Sequence, residues 1–330
     1  HYADLAGMKM EEHGLKSDFL NTLFAMIDDH IYLAHDFERM RKNASNLSEM
    51  HLYDFSLGNV HTTKKYTFKE AYHLVRKSLS ILGEDYLLQV DDLLEKGAFD
   101  IFPRDHKQKR SSTSLSYKGL PYVMLNFTGD ITSVKTLAHE IGHAMNVEYS
   151  KGKNKIEYFD VDFLLTEIAS HVNEVIFYEY CLKNTDEDQK RVLGDIASEL
   201  KNSIFQQVML MEFEDNIIKD LEREKEVTVS SMNSLYLSLL EKYYGKDICV
   251  DECCQYGWLR IRHFLTQDSY YLYLYSIGTL VGTEIALRIL SGEKGIVEKY
   301  KMLLAVGNLL ALIFMIKSMR RIPLIILKKQ

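Results

Sequence analysis

Proline is scarce in this chain, and its scarcity limits the folds that the chain can adopt. Of 330 residues only three are prolines, Pro103, Pro121 and Pro323. Because proline removes a backbone donor and interrupts helices, the long stretches between these positions can form uninterrupted helices. The hydrophobic content of 46% is sufficient for a sizeable core at this length. We therefore expect a mainly α-helical globular protein.

Apolar residues recur at intervals of three and four along much of the chain, which is the spacing that places them on one face of a helix. Thr67 has the position of an N-cap, since Glu70 follows three residues later as in a capping box. The pattern predicts helices over residues 17–42, 67–94 in two pieces, 133–148, most of 161–244 and most of 260–290.

Residues 120–128 have a different pattern. Apolar and aromatic side chains are concentrated here between Pro121 and a Gly-Asp pair, which predicts a short strand. The preceding segment, 97–119, lacks periodicity and is rich in charge and serine, which predicts a loop. We expect a small β-sheet near the helix at 133–148.

Charge, cysteine content and the C-terminal tail narrow the function classes. The net charge of −7 is spread in short mixed runs, so nucleic acid is not an expected partner. The four cysteines lack zinc-ribbon spacing, which favours reduced thiols and a cytoplasmic location. Residues 301–330 form an atypical apolar and basic tail, in which the apolar run 302–316 is shorter than the roughly 20 residues that span a bilayer. A buried terminal helix is the preferred interpretation of this run, and a membrane anchor is the alternative.

Residues 139–143 read His-Glu-Ile-Gly-His, inside the helix predicted over 133–148. In a helix His139 and His143 lie on one face about one turn apart, so both imidazoles can bind one Zn²⁺ ion. Glu140 follows the first histidine, where its carboxylate can accept a proton from a water at an open coordination position. We expect one Zn²⁺ cofactor and Glu140 as the catalytic base. A pair of solvent-facing helix histidines is the alternative.

A third protein ligand is expected, because catalytic zinc sites usually have three and one open position. Glu167 lies in an otherwise apolar stretch, where an unpaired buried carboxylate would be unfavourable, so a nearby cation explains it best. Glu174 lies two turns further along the same face and can hydrogen-bond a liganding imidazole from outside the coordination sphere. His171 on the same stretch is interpreted as an ordinary helix residue.

A second metal chemistry is compatible with part of this pattern. Glu140 with His143 and Glu70 with His73 both have the Glu-x-x-His spacing of di-iron carboxylate bundles. That alternative assigns no function to His139.

Several segments together resemble the oligoendopeptidase F branch of the thimet oligopeptidase-like zinc metallopeptidases. The zinc motif with 136–138 before it and Thr-Glu-Ile-Ala-Ser at 166–170 carries the resemblance, as do segments 50–54, 109–111, 121–129, 258–264 and 270–278. The resemblance covers roughly residues 45–300. It implies a multi-helix metallopeptidase catalytic domain that hydrolyses oligopeptides.

The resemblance also implies roles for residues outside the zinc motif. Segment 258–278 would face the substrate, with His263 and Tyr273 as donors to the substrate carbonyl and Tyr270 and Tyr271 as further contacts. In the strand segment, Tyr122 and Asn126 would bind an extended peptide. Two departures affect this region: Arg262 stands where the family usually has proline, and the spacing from His263 to the tyrosines is two residues longer.

For domain organisation, we expect residues 1–300 to form one helical catalytic region with the zinc site at 139–174, followed by the tail. The family's N-terminal half is expected to be absent before His1. A truncated relative that keeps the scaffold but cleaves nothing, and acts as a helical interaction protein, is therefore the main alternative function. The sequence predicts no oligomeric state.

Overall fold

The computed structural model describes residues 2–45, 47–56, 64–114, 116, 119–151, 163–184, 194, 197–266 and 269–306. These residues confirm a mainly helical fold with a small sheet. The helices are α1 Leu5–Glu12, α2 Phe19–Ser45, α3 Phe68–Ser78, α4 Glu84–Glu95, α5 Ile131–Ser150, α6 Phe163–Asn184, α7 Gln207–Glu222, α8 Val229–Tyr244, α9 His263–Thr266, α10 Tyr273–Leu290 and α11 Ile296–Val306. The strands are β1 Phe99–Asp100, β2 Ser112–Ser114 and β3 Tyr122–Met124.

The chain divides into two compact units. The first contains His1–Asn59 and Ser198–Ser276, and the second contains Val60–Ala197 and Ile277–Gln330. The boundary at residues 276 and 277 lies inside α10. The expectation of one catalytic region over 1–300 stays a prediction.

In the first unit, helices α2, α7 and α8 pack through apolar faces, with Leu23, Ile27, Val208 and Tyr243 among the buried side chains. This core also holds a charged pair, Lys201 donating to the fully buried carboxylate of Glu38.

In the second unit, α5 packs along the length of α6. Every residue from Leu164 to Phe177 is buried, so α6 lies in the core on all its faces. The polar side chains on α6 therefore need partners within the protein, because an unpaired buried carboxylate or imidazole is costly.

The sheet lies beside α5 and has the strand order β1-β3-β2. Strand β1 is parallel to β3, and β2 is antiparallel to it, with Thr113 opposite Val123. The predicted loop at 97–119 is thus wrong in part, because it contains β1 and β2. Strands of two or three residues are too short to show alternation, and they form only because β3 offers backbone partners.

The predicted helix starts agree well where a capping residue is present. Thr67 forms a capping box with Glu70, and Asp130 caps α5 by accepting from the Ser133 N–H. The prediction that most of 260–290 is helical is confirmed, with an interruption between the end of α9 at Thr266 and the start of α10 at Tyr273. Tyr270 between them has a φ of 61°, a left-handed conformation that no α-helix continues through.

Two expectations fall wholly or partly outside the described residues. They are the helices predicted over 161–244, at residues 161–162, 185–193 and 195–196, and the tail beyond 306, of which α11 includes the first apolar residues, 302–306. Within the described part of the chain, no helix combines the length and apolar character needed to cross a membrane.

Candidate metal centre

Three side chains from two packed helices converge in the second unit. His139 and His143 of α5 and Glu167 of α6 each offer a donor atom, and the three atoms lie within 4.8 Å of one another. The Nε2 atoms of the two imidazoles are 3.0 Å apart, and His143 Nε2 is 4.0 Å from Glu167 Oε1. The structure thus brings together the two histidines of the motif and the carboxylate 24 residues further along.

The close approach of α5 and α6 depends on a glycine inside the motif. A Cβ atom on Gly142 would lie 2.5 Å from Ser170 Cα and 2.6 Å from the Ala169 carbonyl oxygen. Any larger residue would push the helices apart, and with them the histidines from Glu167. On the opposite side, Gly278 of α10 leaves space for the Glu167 side chain, because a Cβ there would lie 2.7 Å from Glu167 Cβ.

The donor set fits a divalent metal that prefers nitrogen and oxygen ligands. In tetrahedral coordination with bonds of about 2.1 Å, two ligand atoms lie about 3.4 Å apart. The separations of 3.0 and 4.0 Å lie on either side of that value, and no two of the three donor atoms are more than 4.8 Å apart. His139 and His143 keep 21% and 16% of their side-chain surface exposed, so neither imidazole is sealed from solvent.

Glu174 supports the first imidazole from behind. Its Oε1 lies 3.1 Å from His139 Nδ1, so the Nε2 of His139 is directed toward His143. Burial would raise the pKa of the Glu174 carboxyl, but Lys135, at 3.2 Å, and His139 lower it to well below its usual value. Burial would lower the pKa of His139, but Glu174 and the other carboxylates outweigh it and raise that pKa to about 9.

Glu140 is buried next to the donor group, with 4% of its surface exposed. Its carboxylate accepts a hydrogen bond of 2.6 Å from the Thr113 hydroxyl on β2. Burial raises the pKa of the Glu140 carboxyl, opposed by the charge of His139 and by this hydrogen bond. The small sheet therefore contributes directly to the site, because β2 holds the carboxylate that the motif places there.

The two predicted peptide contacts of the strand segment both have protein partners. The Tyr122 hydroxyl donates to Asp100 Oδ2 at 2.8 Å, and the Asn126 amide donates to the carbonyl oxygens of Gln108 and Lys109. The Tyr122 side chain is 46% exposed, so its ring remains accessible along β3.

The tyrosine-rich segment belongs to the first unit as far as Ser276. Tyr273 is fully buried, and its hydroxyl lies 2.5 Å from His13 Nδ1. His263 instead lies among aromatic rings, stacked on Tyr271 and 3.5 Å from the Tyr275 hydroxyl.

Tyr270 is fixed in its left-handed conformation by acidic side chains of α7. Its N–H donates to Glu214, and its hydroxyl donates to Asp215 at 3.1 Å. The substrate roles of Tyr270, Tyr271, Tyr273 and His263 stay predictions.

The second Glu-x-x-His pair does not join the candidate metal centre. Glu70 and His73 are exposed on α3, and the Glu70 carboxylate is hydrogen-bonded within the capping box of that helix. This pair therefore does not supply the second Glu-x-x-His ligand set that the di-iron alternative needs.

Sequence reasoning missed three residues that contact the side chains around the donor group: Thr113 contacts Glu140, Lys135 contacts Glu174, and Thr279 contacts His171. Thr113 lies in the segment predicted as a loop, and Lys135 and Thr279 carry no motif. The hydrogen-bonding role of His171, which was interpreted as an ordinary helix residue, was missed as well. Because Thr279 is 108 residues from its partner His171, no local pattern could have indicated that pair.

A helical protein with an HExxH motif and a glutamate on the neighbouring helix belongs to the class of candidate metallopeptidases. The family model for peptidase family M3 matches residues 1–322, and the chain belongs to that family, whose members are metallopeptidases. The resemblance to oligoendopeptidase F is confirmed.

Relatives and solved structures support the same family. The chain is 30% identical to an oligoendopeptidase F homolog of Borreliella burgdorferi over 309 residues, which covers 91% of this chain and 52% of that protein. It is 27% identical to oligopeptidase PepF of Bacillus subtilis over 91% of this chain and 45% of that protein. The fold is similar to a putative peptidase from Chlamydophila abortus, with a TM-score of 0.86, 26% identity and coverage of 98% of this chain and 54% of that one. The chain thus spans about half the length of these relatives.

Proposed function

We propose that this chain carries the catalytic site of a zinc-dependent peptidase that hydrolyses peptide bonds in oligopeptides. The observation that carries the proposal is the convergence of His139, His143 and Glu167, with the Glu140 carboxylate buried beside them. Membership of a metallopeptidase family supports it. A cytoplasmic location is proposed from the sparse cysteines alone.

His139, His143 and Glu167 are the proposed zinc ligands. Bound zinc would supply Lewis acidity, polarising a peptide carbonyl and making a water molecule more acidic. Glu174 fixes the ring of His139 through the Nδ1 hydrogen bond, so that Nε2 is the nitrogen left to bind the metal. Gly142 keeps the two helices that bear these ligands close together, and Gly278 lets α10 pack against Glu167.

Glu140 is the proposed general base. Its carboxylate accepts a proton from the attacking water and can then deliver that proton to the leaving amine. Thr113 holds one carboxylate oxygen by its hydrogen bond, which limits rotation of the side chain. Burial raises the pKa of Glu140, which makes its carboxylate a stronger proton acceptor.

Oligopeptides are the proposed substrates, with an extended peptide lying against β3 near Tyr122 and Asn126 and pairing through its backbone. His263 or Tyr273 is the proposed donor to the oxyanion of the substrate. The oxyanion-donor role is supported by the resemblance of segment 258–278 to the oligoendopeptidase F branch.

The test compares Glu140→Gln with Glu148→Gln, a control on the same helix. The variants would be assayed with a fluorescence-quenched peptide, with and without a chelator, and their zinc content would be measured by atomic absorption. We expect Glu140→Gln to retain zinc and to lose turnover by about 10²-fold or more, since proton transfer contributes about 10²–10⁴-fold. Glu148→Gln should retain both.

Two results would overturn the proposal. Substantial hydrolysis by Glu140→Gln would remove that residue from the proposed role. A wild-type chain that binds zinc but cleaves no peptide would replace the peptidase with the non-catalytic interaction protein.

A further inference from the structure

We propose that His171 is a positioning residue for the metal centre, which holds Glu174 and, through it, the ring of His139. The proposal rests on the proposed function, because it assumes that His139 binds the metal. The residues concerned lie on α5, α6 and α10 within the second unit.

The first observation is a continuous chain of hydrogen bonds through the buried core. His171 Nδ1 lies 3.0 Å from Glu174 Oε2, and His171 Nε2 lies 2.9 Å from the Thr279 hydroxyl oxygen. Glu174 uses its other oxygen, Oε1, to bind His139 Nδ1 at 3.1 Å. The hydrogen-bonded series therefore runs from Thr279 through His171 and Glu174 to a proposed metal ligand.

His171 matters because the two oxygens of Glu174 have different partners, Oε1 contacting His139 and Oε2 contacting His171. A carboxylate held at Oε1 alone can still turn about its last side-chain bond, whereas one held at both oxygens has its plane fixed. His171 is 6% exposed and Glu174 5%, so water cannot easily replace the bond to Oε2. Removing the imidazole would leave a buried carboxylate oxygen without that donor, which is unfavourable.

The assignment of hydrogens follows from the partners. Glu174 is an acceptor, so His171 carries a proton on Nδ1. Its Nε2 faces the Thr279 hydroxyl oxygen at 2.9 Å and Glu167 Oε2 at 3.8 Å. Both ring nitrogens are thus engaged. His171 is not one of the three residues whose donor atoms converge, although its Nε2 lies 3.8 Å from Glu167 Oε2, so we assign it a positioning role and not that of a fourth ligand.

The packing around His171 fixes the ring as well. A Cβ atom on Gly282 of α10 would lie 2.8 Å from His171 Cβ, so the α10 backbone lies directly against this residue. The rings of His139 and His171 meet edge to face, with centroids 5.8 Å apart. The imidazole is therefore held both by its bonds and by its contacts.

The experiment measures zinc affinity by competition with a chromogenic chelator, together with the visible absorption of the cobalt-substituted chain. His171→Leu removes both hydrogen bonds. His171→Asn keeps a side-chain N–H near the position of Nδ1 and tests rescue of the bond to Glu174. Thr279→Val and Thr279→Ser test the hydrogen bond between Thr279 and His171. His73→Leu, on the exposed face of α3, is the matched control.

Groups that orient a metal ligand typically contribute 10–100-fold to metal affinity. We expect His171→Leu to weaken zinc binding by about 10-fold and to shift the cobalt absorption bands. His171→Asn should recover most of both, Thr279→Val should be intermediate, and Thr279→Ser and His73→Leu should match the wild type.

A folded His171→Leu variant with wild-type zinc affinity and an unchanged cobalt spectrum would overturn the positioning role. If that variant does not fold, His171→Asn and Thr279→Val decide instead. A 10-fold loss of zinc affinity in His171→Asn, with no loss in Thr279→Val, would show that the ring is needed for packing and not for its hydrogen bonds. A wild-type chain that binds no zinc would overturn the proposed function itself, and this role with it.

Discussion

Replacing Gly142 by alanine tests whether the close approach of α5 and α6 builds the site. The added Cβ would lie 2.5 Å from Ser170 Cα and 2.6 Å from the carbonyl oxygen of Ala169. Carbon contacts are normally about 3.5–4.0 Å, so the two helices would have to separate by roughly 1 Å. Both neighbours are backbone atoms, and no side-chain rotation can relieve the contact.

Two opposing effects determine how far Gly142→Ala changes the free energy of unfolding. Overpacking a tight interface costs about 1–3 kcal/mol, and sometimes more. Alanine in place of glycine within a helix stabilises the helix by about 1 kcal/mol. We expect Gly142→Ala to lower the free energy of unfolding by about 2 kcal/mol. A metal site tolerates ligand displacements of only about 0.2 Å, so zinc affinity should fall on the order of 10-fold or more.

Denaturant unfolding of the metal-free chain and a zinc titration would measure the two effects separately. Gly194→Ala is the control, because a Cβ atom at Gly194 would meet no atom of the described residues within 4 Å and that residue is helical. The reasoning would be refuted by a Gly142→Ala variant that unfolds at the wild-type midpoint and binds zinc with wild-type affinity.

Three further variants test other parts of the structure. Glu38→Gln leaves Lys201 buried without its charged partner and should lower the unfolding free energy by about 3–5 kcal/mol in urea denaturation; an unchanged midpoint would contradict this. Burial, opposed by the Tyr270 N–H, raises the pKa of Glu214 to about 7 from 4.5, so the folded state binds the extra proton and stability falls as pH rises between these values. In Glu214→Gln the decrease in unfolding free energy over this pH range should be smaller by roughly 1–2 kcal/mol, a figure that allows for the half-buried position of the side chain. A decrease as steep as that of the wild type would count against this expectation. Thr113→Val should lower kcat for peptide cleavage about 10-fold with zinc content unchanged, while Thr113→Ser stays close to wild type, because the hydroxyl orients the Glu140 carboxylate.

The helices were predictable where one face is apolar and a cap is present. Thr67 and Glu70 indicate the start of α3 within one residue, and the scarcity of proline explains why a mainly helical fold could be expected at all. The His139, His143 and Glu167 group was also predictable, since helical spacing relates the first two and an apolar stretch makes the third conspicuous.

The remaining features depend on contacts between distant segments. Strands β1 and β2 exist because β3 pairs with them, and their few residues carry no periodic signal. Thr113 meets Glu140 through the position of that sheet, and Thr279 meets His171 through the packing of α10. The interruption at Tyr270 likewise depends on Glu214 and Asp215, which no local pattern connects to it.

We expect one metal ion to be held jointly by His139, His143 and Glu167. Crystals of the chain grown with zinc would test it directly, through anomalous diffraction recorded on both sides of the zinc absorption edge. The account predicts one strong anomalous peak at about 2.0–2.2 Å from a nitrogen of each imidazole and from an oxygen of Glu167. Zinc density that lies elsewhere, or that leaves the Glu167 carboxylate out of the coordination sphere, would contradict it.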